Sequence, residues 1–286
     1  MLIGHKKQQQ FLKKIVKSGK IPHALLFSGQ EKLGKKTAAL ELISSLFKEN
    51  PLGHPDFILV APQTKHPSGQ IQISQIRNLN WKLSLRPVKA PFVGAIIDQA
   101  HLMTREAQNC FLKTLEEPKG RTLLILITEH PNSLLATILS RCEVIKFYPV
   151  KKEEIGSYLR EKGISKEKIK KIVKISLGRP GVAIDFLQNP QKLKERTATI
   201  KELIKISNSP ISLRFQYVKK LSKDQNLKEV LTIWLSHFRD TLISQRNRVR
   251  VAKIENILNL LQRTIFLIST TNVNPRLALE VLMLEL

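Results

Sequence analysis

The sequence predicts an α/β domain on a parallel sheet of P-loop type, followed by a small helical domain and then an all-α C-terminal domain. Three observations carry this prediction. Up to about residue 149, short apolar runs alternate with segments of helical period. One connection between such a run and such a segment, GQEKLGKKT (29–37), is nearly a phosphate-binding loop. After Pro149 only helical periodicity remains. Strands that alternate with helices imply a parallel sheet covered on both faces.

The elements follow in order. The opening MLIGHKKQQQFLKKIVKSGK has neither the unbroken apolar stretch nor the small-residue cleavage site of a signal peptide. ALLFS (24–28), FILVA (57–61), VGAII (93–97), LLILIT (123–128) and VIKF (144–147) are short, branched or aromatic, and bounded by turn or polar residues, as buried strands are. KKTAALELISSLFK (35–48) and TREAQNCFLKTLEE (104–117) have helical period; the second has Thr104 as its N-cap, Glu106 in its first turn and Pro118 beyond its end. Beyond Pro149, breaks at Gly163, GRPG (178–181), Pro190 and SNSP (207–210) divide helices, with LTIWLSHFRDTLI (231–243) and IENILNLLQRTIFLI (254–268) the strongest apolar stripes. The expected domains are therefore 1–150, 151–207 and 208–286.

Composition narrows the class. The 286 residues suggest about two domains, with a third possible if it is a small helical module. No apolar run reaches the roughly 18 residues needed to span a bilayer, so the expectation is a cytoplasmic chain without a membrane partner. Two cysteines, Cys110 and Cys142, build neither a disulfide scaffold nor a zinc set by themselves; Cys110 falls on the apolar side of its helix and reads as core. Lys and Arg number 48 against 23 acidic residues, a formal charge of +25. Such an excess favours polyanions, nucleic acid above all, although solvated lysine-rich helix faces give the same count.

The loop is where chemistry is expected. Gly29 and Gly34 would turn backbone N–H groups toward a phosphate, and Lys35 would reach the terminal phosphates. The next place should hold the hydroxyl that binds Mg²⁺, but it holds Lys36, whose charge repels a metal. Thr37 is one residue, roughly 100° of helix, out of place. Asp98 ends the strand VGAII, where a carboxylate can organise a metal's water shell. The following residue, which in ATPases of this shape is a glutamate, is Gln99, and an amide cannot take the attacking water's proton. Two parts serving different steps are missing.

IIDQAHLMTREAQNCFLKTLEEP (96–118) resembles the Walker-B-to-helix segment of the bacterial clamp-loader subunits, an AAA+ family. LLILITEHPNSLLATILSRCEVIKF (123–147) resembles their sensor-1 strand and Ser-Arg-Cys motif; SQIRNLNWKLSLRP (74–87) also matches, and NVNPRLALEVLMLEL (272–286) is similar to the tail of the delta-prime branch. The likeness runs over nearly the whole chain. It implies an AAA+ domain, a helical lid and a collar domain. The vestigial nucleotide site would comprise Gly29, Gly34, Lys35, Thr37, Asp98 and Thr128, with Lys36 and Gln99 marking lost functions. Arg141, between Ser140 and Cys142, would be an arginine finger for a neighbour's ATP. Arg179 lies near the place of the lid arginine that senses nucleotide, with Pro180 and Gly181 altering its presentation.

The family's frequent four-cysteine zinc insert is missing from LFKENPLGHPDFILV (46–60). His54 and His66 nearby are expected to face solvent, and no zinc is expected. The resemblance implies a subunit of the DNA polymerase III holoenzyme without ATPase activity of its own and with weak or absent ATP binding. Its partners would be the clamp-loader ATPase subunits and delta in a hetero-oligomeric ring, the sliding clamp, and primed DNA through phosphate contacts. Two alternatives stand beside it: an active AAA+ ATPase with unusual motif residues, and a free-standing basic DNA-binding protein on an inactive scaffold. Nucleotide turnover discriminates the first, and co-purification with other subunits the second.

Overall fold

The computed structural model describes residues 2–62, 69–118, 120–224, 226–244, 248–270 and 273–286. The sheet consists of β1 (Ala24–Ser28), β2 (Phe57–Val60), β3 (Val93–Ile97), β4 (Thr122–Thr128) and β5 (Glu143–Lys146). All pairs are parallel, in the order β2-β3-β4-β1-β5. β1 and β3 are buried along their whole length, which is why their sequences run apolar without alternation. Each expected strand is present, with ends shifted by at most one residue.

Helices cover both faces. One face holds α1 (Lys6–Ser18) and α2 (Lys35–Phe47), whose Leu12, Ile15, Leu42 and Ile43 pack on Leu25 and Phe27 of β1. The other holds α3 (Ile73–Leu83), α4 (Arg105–Glu116) and the one-turn α5 (Ala136–Leu139). There Ile76, Leu79, Phe111 and Ile138 pack on Leu26, Leu124 and Leu126. Thr104 caps α4 as expected: its Oγ1 accepts the N–H of Ala107 at 3.2 Å. Cys110 is half-buried against this core.

The remainder is helical: α6 (Lys152–Glu161), α7 (Lys166–Ser176), α8 (Pro180–Gln188), α9 (Pro190–Ser207), α10 (Ile211–Leu221), α11 (Leu227–Ser244), α12 (Arg248–Thr270) and α13 (Pro275–Glu285). The chain divides into two compact units, Met1–Ile184 and Asp185–Leu286, with the division inside α8. The division coincides with neither of the expected boundaries at 150 and 207. α9 falls within the expected lid, 151–207, yet its Leu203 lies in one core with Val218, Leu231, Trp234, Leu261 and Leu282 of the helices that follow. α6, α7 and the start of α8 belong to the unit of the sheet. Periodicity marks each helix's apolar face but not which neighbour it meets. No helix among the described residues is long and apolar enough to cross a membrane.

The segment 46–60 runs from the end of α2 through β2. Among the described residues no three His, Cys, Asp or Glu side chains are placed to share an ion. Asp56, 3% exposed, accepts the backbone N–H groups of Val88, Lys89 and Ala90, each at 2.7 Å. His54 does not face solvent as expected. Its side chain is buried against Phe47, with ring centroids 4.7 Å apart, and its Nδ1 accepts the N–H of Asp56 at 3.1 Å. A proline-glycine loop signals exposure of the backbone and leaves the reach of an imidazole open. His66 lies outside the described residues.

Candidate functional site: the phosphate loop and the Ser-Arg-Cys corner

The loop begins where β1 ends. Gly29 has φ 145° and a side chain there would strike the carbonyl oxygen of Phe147, so the position admits only glycine. Gly34 has φ 95° and stands directly before α2. A Cβ on it would lie 2.6 Å from Leu2 Cδ1. The loop is braced from several sides: Gly29 N–H donates to Thr128 O at 3.2 Å, and His5 Nε2 lies 2.9 Å from Leu33 O. The first turn of α8 leaves a backbone donor unsatisfied within its own helix, and Gly181 N–H donates to Lys32 O at 2.8 Å. Pro180 opens α8, the helical place where its missing N–H costs nothing. Arg179, half-buried on the same turn, is thereby carried close to the loop.

Lys35 is 6% exposed. Its ammonium donates to the carbonyls of Gly29 and Gln30 at 2.5 and 2.6 Å. Burial lowers its pKa, while Glu129, Asp98 and Glu31 oppose the shift. The lysine expected to meet phosphate is thus folded onto the loop's own backbone.

Lys36 makes the decisive contact. Its Nζ stands 3.0 Å from Asp98 Oδ2. Asp98 itself is anchored at the strand end, its N–H donating to Val60 O at 2.8 Å. The ammonium therefore occupies the relation to the strand-end carboxylate that a metal would need. The neighbouring ammonium offsets the carboxylate's charge and weakens its attraction for a divalent ion. The residues do not fit Mg²⁺. Thr37 is half-buried one position further along α2 and does not replace the hydroxyl. Gln99 is exposed, in left-handed backbone at φ 53°.

Thr128, buried at the end of β4, accepts the N–H of His130 at 3.1 Å, and its Oγ1 lies 3.4 Å from His101 Nδ1. Residue order alone gave no hint of His101 and His130. They meet edge to face, centroids 5.3 Å apart. Burial, with His130 and Lys35 nearby, holds His101 down at about 4. Glu129 is pushed the other way by burial and by Glu31. The site thus brings together Gly29, Gly34, Lys35, Lys36, Asp98 and Thr128.

Arg141 is elsewhere, at the corner between α5 and the edge strand β5. Its Nη2 lies 2.9 Å from Glu116 Oε1 and its Nη1 donates to Thr137 O at 3.0 Å. Ser140 Oγ also donates to Thr137 O, at 3.1 Å. Cys142 is buried, its thiol pushed up to about 11, and anchors the corner to the core. The guanidinium is at the surface in an exposed ion pair, the kind worth ~0–1 kcal/mol.

Comparison with known proteins fits this geometry. Residues 4–151, just over half of the chain, match the family model described as DNA polymerase III, delta subunit. The chain belongs to that family. The DNA polymerase III subunit delta' of Bacillus subtilis is 31% identical to this family member over 202 residues, 65% of this chain and 60% of that protein. The replication factor C small subunit of Staphylothermus marinus is 35% identical over 185 residues, 62% of this chain and 54% of that one. The match thus spans little more than half the length of these relatives. A solved DNA polymerase III gamma subunit-related protein from Thermotoga maritima superposes with a TM-score of 0.55 over 97% of both chains at 20% identity. The RuvB branch-migration motor of the same organism gives 0.52 over 70% of this chain and 64% of RuvB at 16% identity. At those identities the superpositions establish the fold, that of the AAA+ proteins.

Proposed function

We propose that this chain is a non-hydrolysing, delta-prime-type subunit of the DNA polymerase III clamp loader. It assembles with ATPase subunits and the delta subunit in a hetero-oligomeric ring. Arg141 reaches the ATP of a neighbouring subunit, and the ring places the sliding clamp on primed DNA, which the basic chain contacts through phosphates.

The observation that carries this reading is the Lys36–Asp98 ion pair at 3.0 Å. It removes the metal-binding hydroxyl and neutralises the metal-organising carboxylate in one contact. Gln99 independently lacks the carboxylate that would take the water's proton. Nucleotide binding is weak or absent, with Gly29, Gly34 and Lys35 the only groups left to hold phosphates, and without metal. Support for Arg141 is its surface position and cheap tether: leaving Glu116 costs at most about 1 kcal/mol. A planar guanidinium fork also suits phosphate oxygens.

The test has two stages. Purified chain is expected to hydrolyse ATP far more slowly than about 1 s⁻¹, the low end of ordinary enzyme turnover. Turnover near that value would identify an active ATPase with unusual motif residues. Reconstituted complexes carrying Arg141→Ala should assemble, yet load clamps slowly and lose DNA-stimulated hydrolysis. An arginine finger elsewhere is worth ~10³–10⁵ in rate, and several ATP sites dilute the loss of one. Arg141→Lys should rescue poorly. Normal loading by an assembled alanine variant would refute the trans-acting role. Failure to co-purify with ATPase subunits would leave a free-standing DNA-binding protein.

A further inference from the structure

No Asp or Glu occurs between Asp56 and Asp98, the longest acid-free stretch of the sequence. Within it, α3 and the segment that follows carry Arg77, Lys82, Arg86 and Lys89, all exposed. Among the described residues none of the four is held in an ion pair. Between Arg77 and Lys82 in the chain stands Trp81, 61% exposed. α3 turns Ile76, Leu79 and Leu83 to the core, so the indole contributes nothing to it. Leu85 and Val88 are also exposed, by 50% and 76%. Scattered exposed apolar residues are ordinary. Three within eight residues, interspersed in the chain with exposed cations outside any ion pair, are not.

The surface is also fixed in place. Asp56 holds the backbone N–H groups of Val88, Lys89 and Ala90, so this end of the segment is braced. The basic face of α1 makes a contrast. It packs on the opposite side of the sheet, displays exposed Lys6, Lys13, Lys14 and Lys17, and has only Phe11, 37% exposed, as an aromatic.

We propose that the α3 face is a binding surface for single-stranded DNA. Trp81 stacks on an unpaired base while Arg77, Lys82, Arg86 and Lys89 hold the flanking phosphates. The charge selects a polyanion, and the exposed indole selects a single strand, because bases inside a duplex already stack on their neighbours. α1 offers phosphate contacts alone and serves duplex and single strand alike. The inference rests on the clamp-loader reading, which brings the chain to primed DNA with its unpaired template.

The test uses the full chain, an oligo(dT) of about fifteen nucleotides and a duplex of equal length. The protein's other tryptophan, Trp234, is buried, so emission lost in Trp81→Phe reports on Trp81. Oligo(dT) should quench that emission. Trp81→Ala should weaken oligo(dT) binding roughly ten-fold or more and leave duplex binding within about two-fold. Arg77→Ala or Arg86→Ala should weaken both ligands and lower the salt slope by about one. Unchanged oligo(dT) affinity in Trp81→Ala, with intact Trp234 emission, overturns the proposal. So does a Trp81→Ala defect confined to co-purification with other clamp-loader subunits, which would make this a protein-docking face. Trp81-dependent binding by a chain that fails to assemble would refute the clamp-loader reading and keep this surface.

Discussion

Lys36 reaches from the start of α2 to Asp98 at the end of β3, and the two meet at 3.0 Å. The pair is partly exposed, so its contribution to stability is small, and Lys36→Thr should change the unfolding free energy by no more than about 1 kcal/mol. The same substitution frees Asp98 and restores the hydroxyl. Lys36→Thr should therefore bind nucleotide more tightly with Mg²⁺ than without it, a difference the parent chain lacks; calorimetric titration in magnesium and in chelator reads this directly. Equal magnesium dependence in both proteins would mean that the ion pair does not decide metal binding. His101 gives a pH dependence. An unfolded histidine takes up a proton near 6.5, whereas His101 in the fold stays neutral to about 4. Between these values the unfolded chain binds more protons, so stability is full above about pH 6.5 and falls as pH drops toward about 4. Burial lowers His5 in the same sense. His101→Gln should flatten the acid side of the profile, compared by urea unfolding at about pH 7.5 and about pH 5; parallel loss in both proteins would contradict the assignment. Lys36 and Gln99 were legible as departures in the sequence, Lys36 from its place in the loop and Gln99 from following the strand-end Asp98. That Lys36 seizes Asp98 was not, since the two are brought together by a sheet order that leaves only β4 between β1 and β3.

Among the elements, α4 and the loop before β2 differ in how far their determinants lie along the chain. Thr104 caps its own helix three residues away, a local contact that sequence reading found. Asp56 meets partners 32 to 34 residues distant, and nothing in the sequence around it announces them. Burial alone would raise its carboxyl, but the N–H groups of Ala90, Val88 and Lys89 outweigh it and hold the carboxyl below its ordinary range. Stability from this group is present above pH ~4 and lost as pH falls through the depressed value. Asp56→Ala should cost about 3 kcal/mol or more, because it leaves buried backbone donors unpaired. Thr104→Ala should cost about 1 kcal/mol. Denaturant titration of both variants checks the order, and a smaller loss at Asp56 than at Thr104 would rule out its role as the tie between β2 and the segment entering β3.

On the scale of the whole molecule, the charge of +25 predicts weak, sequence-indifferent DNA affinity that falls steeply with salt, read by titrating labelled DNA at low and at physiological salt; tight binding that barely changed between the two would contradict it. With the loop 46–60 tied by Asp56 and packed through His54, chelator should leave the unfolding curve unchanged, and elemental analysis should find no stoichiometric zinc; a chelator-induced loss of structure would overturn this. The sequence by itself determined the strand-helix alternation, the parallel sheet, the Thr104 cap and the glycines of the loop. These are written in short-range periodicity and in backbone conformations that few residue types accept. Only the tertiary structure decided that α9 joins the C-terminal helices, that His54 is buried, that His101 lies beside Thr128, that Arg141 rests on Glu116, and that Lys36 neutralises Asp98. Each of these depends on which apolar faces find one another, and a side chain's partner across the fold follows from that packing rather than from its neighbours in the chain.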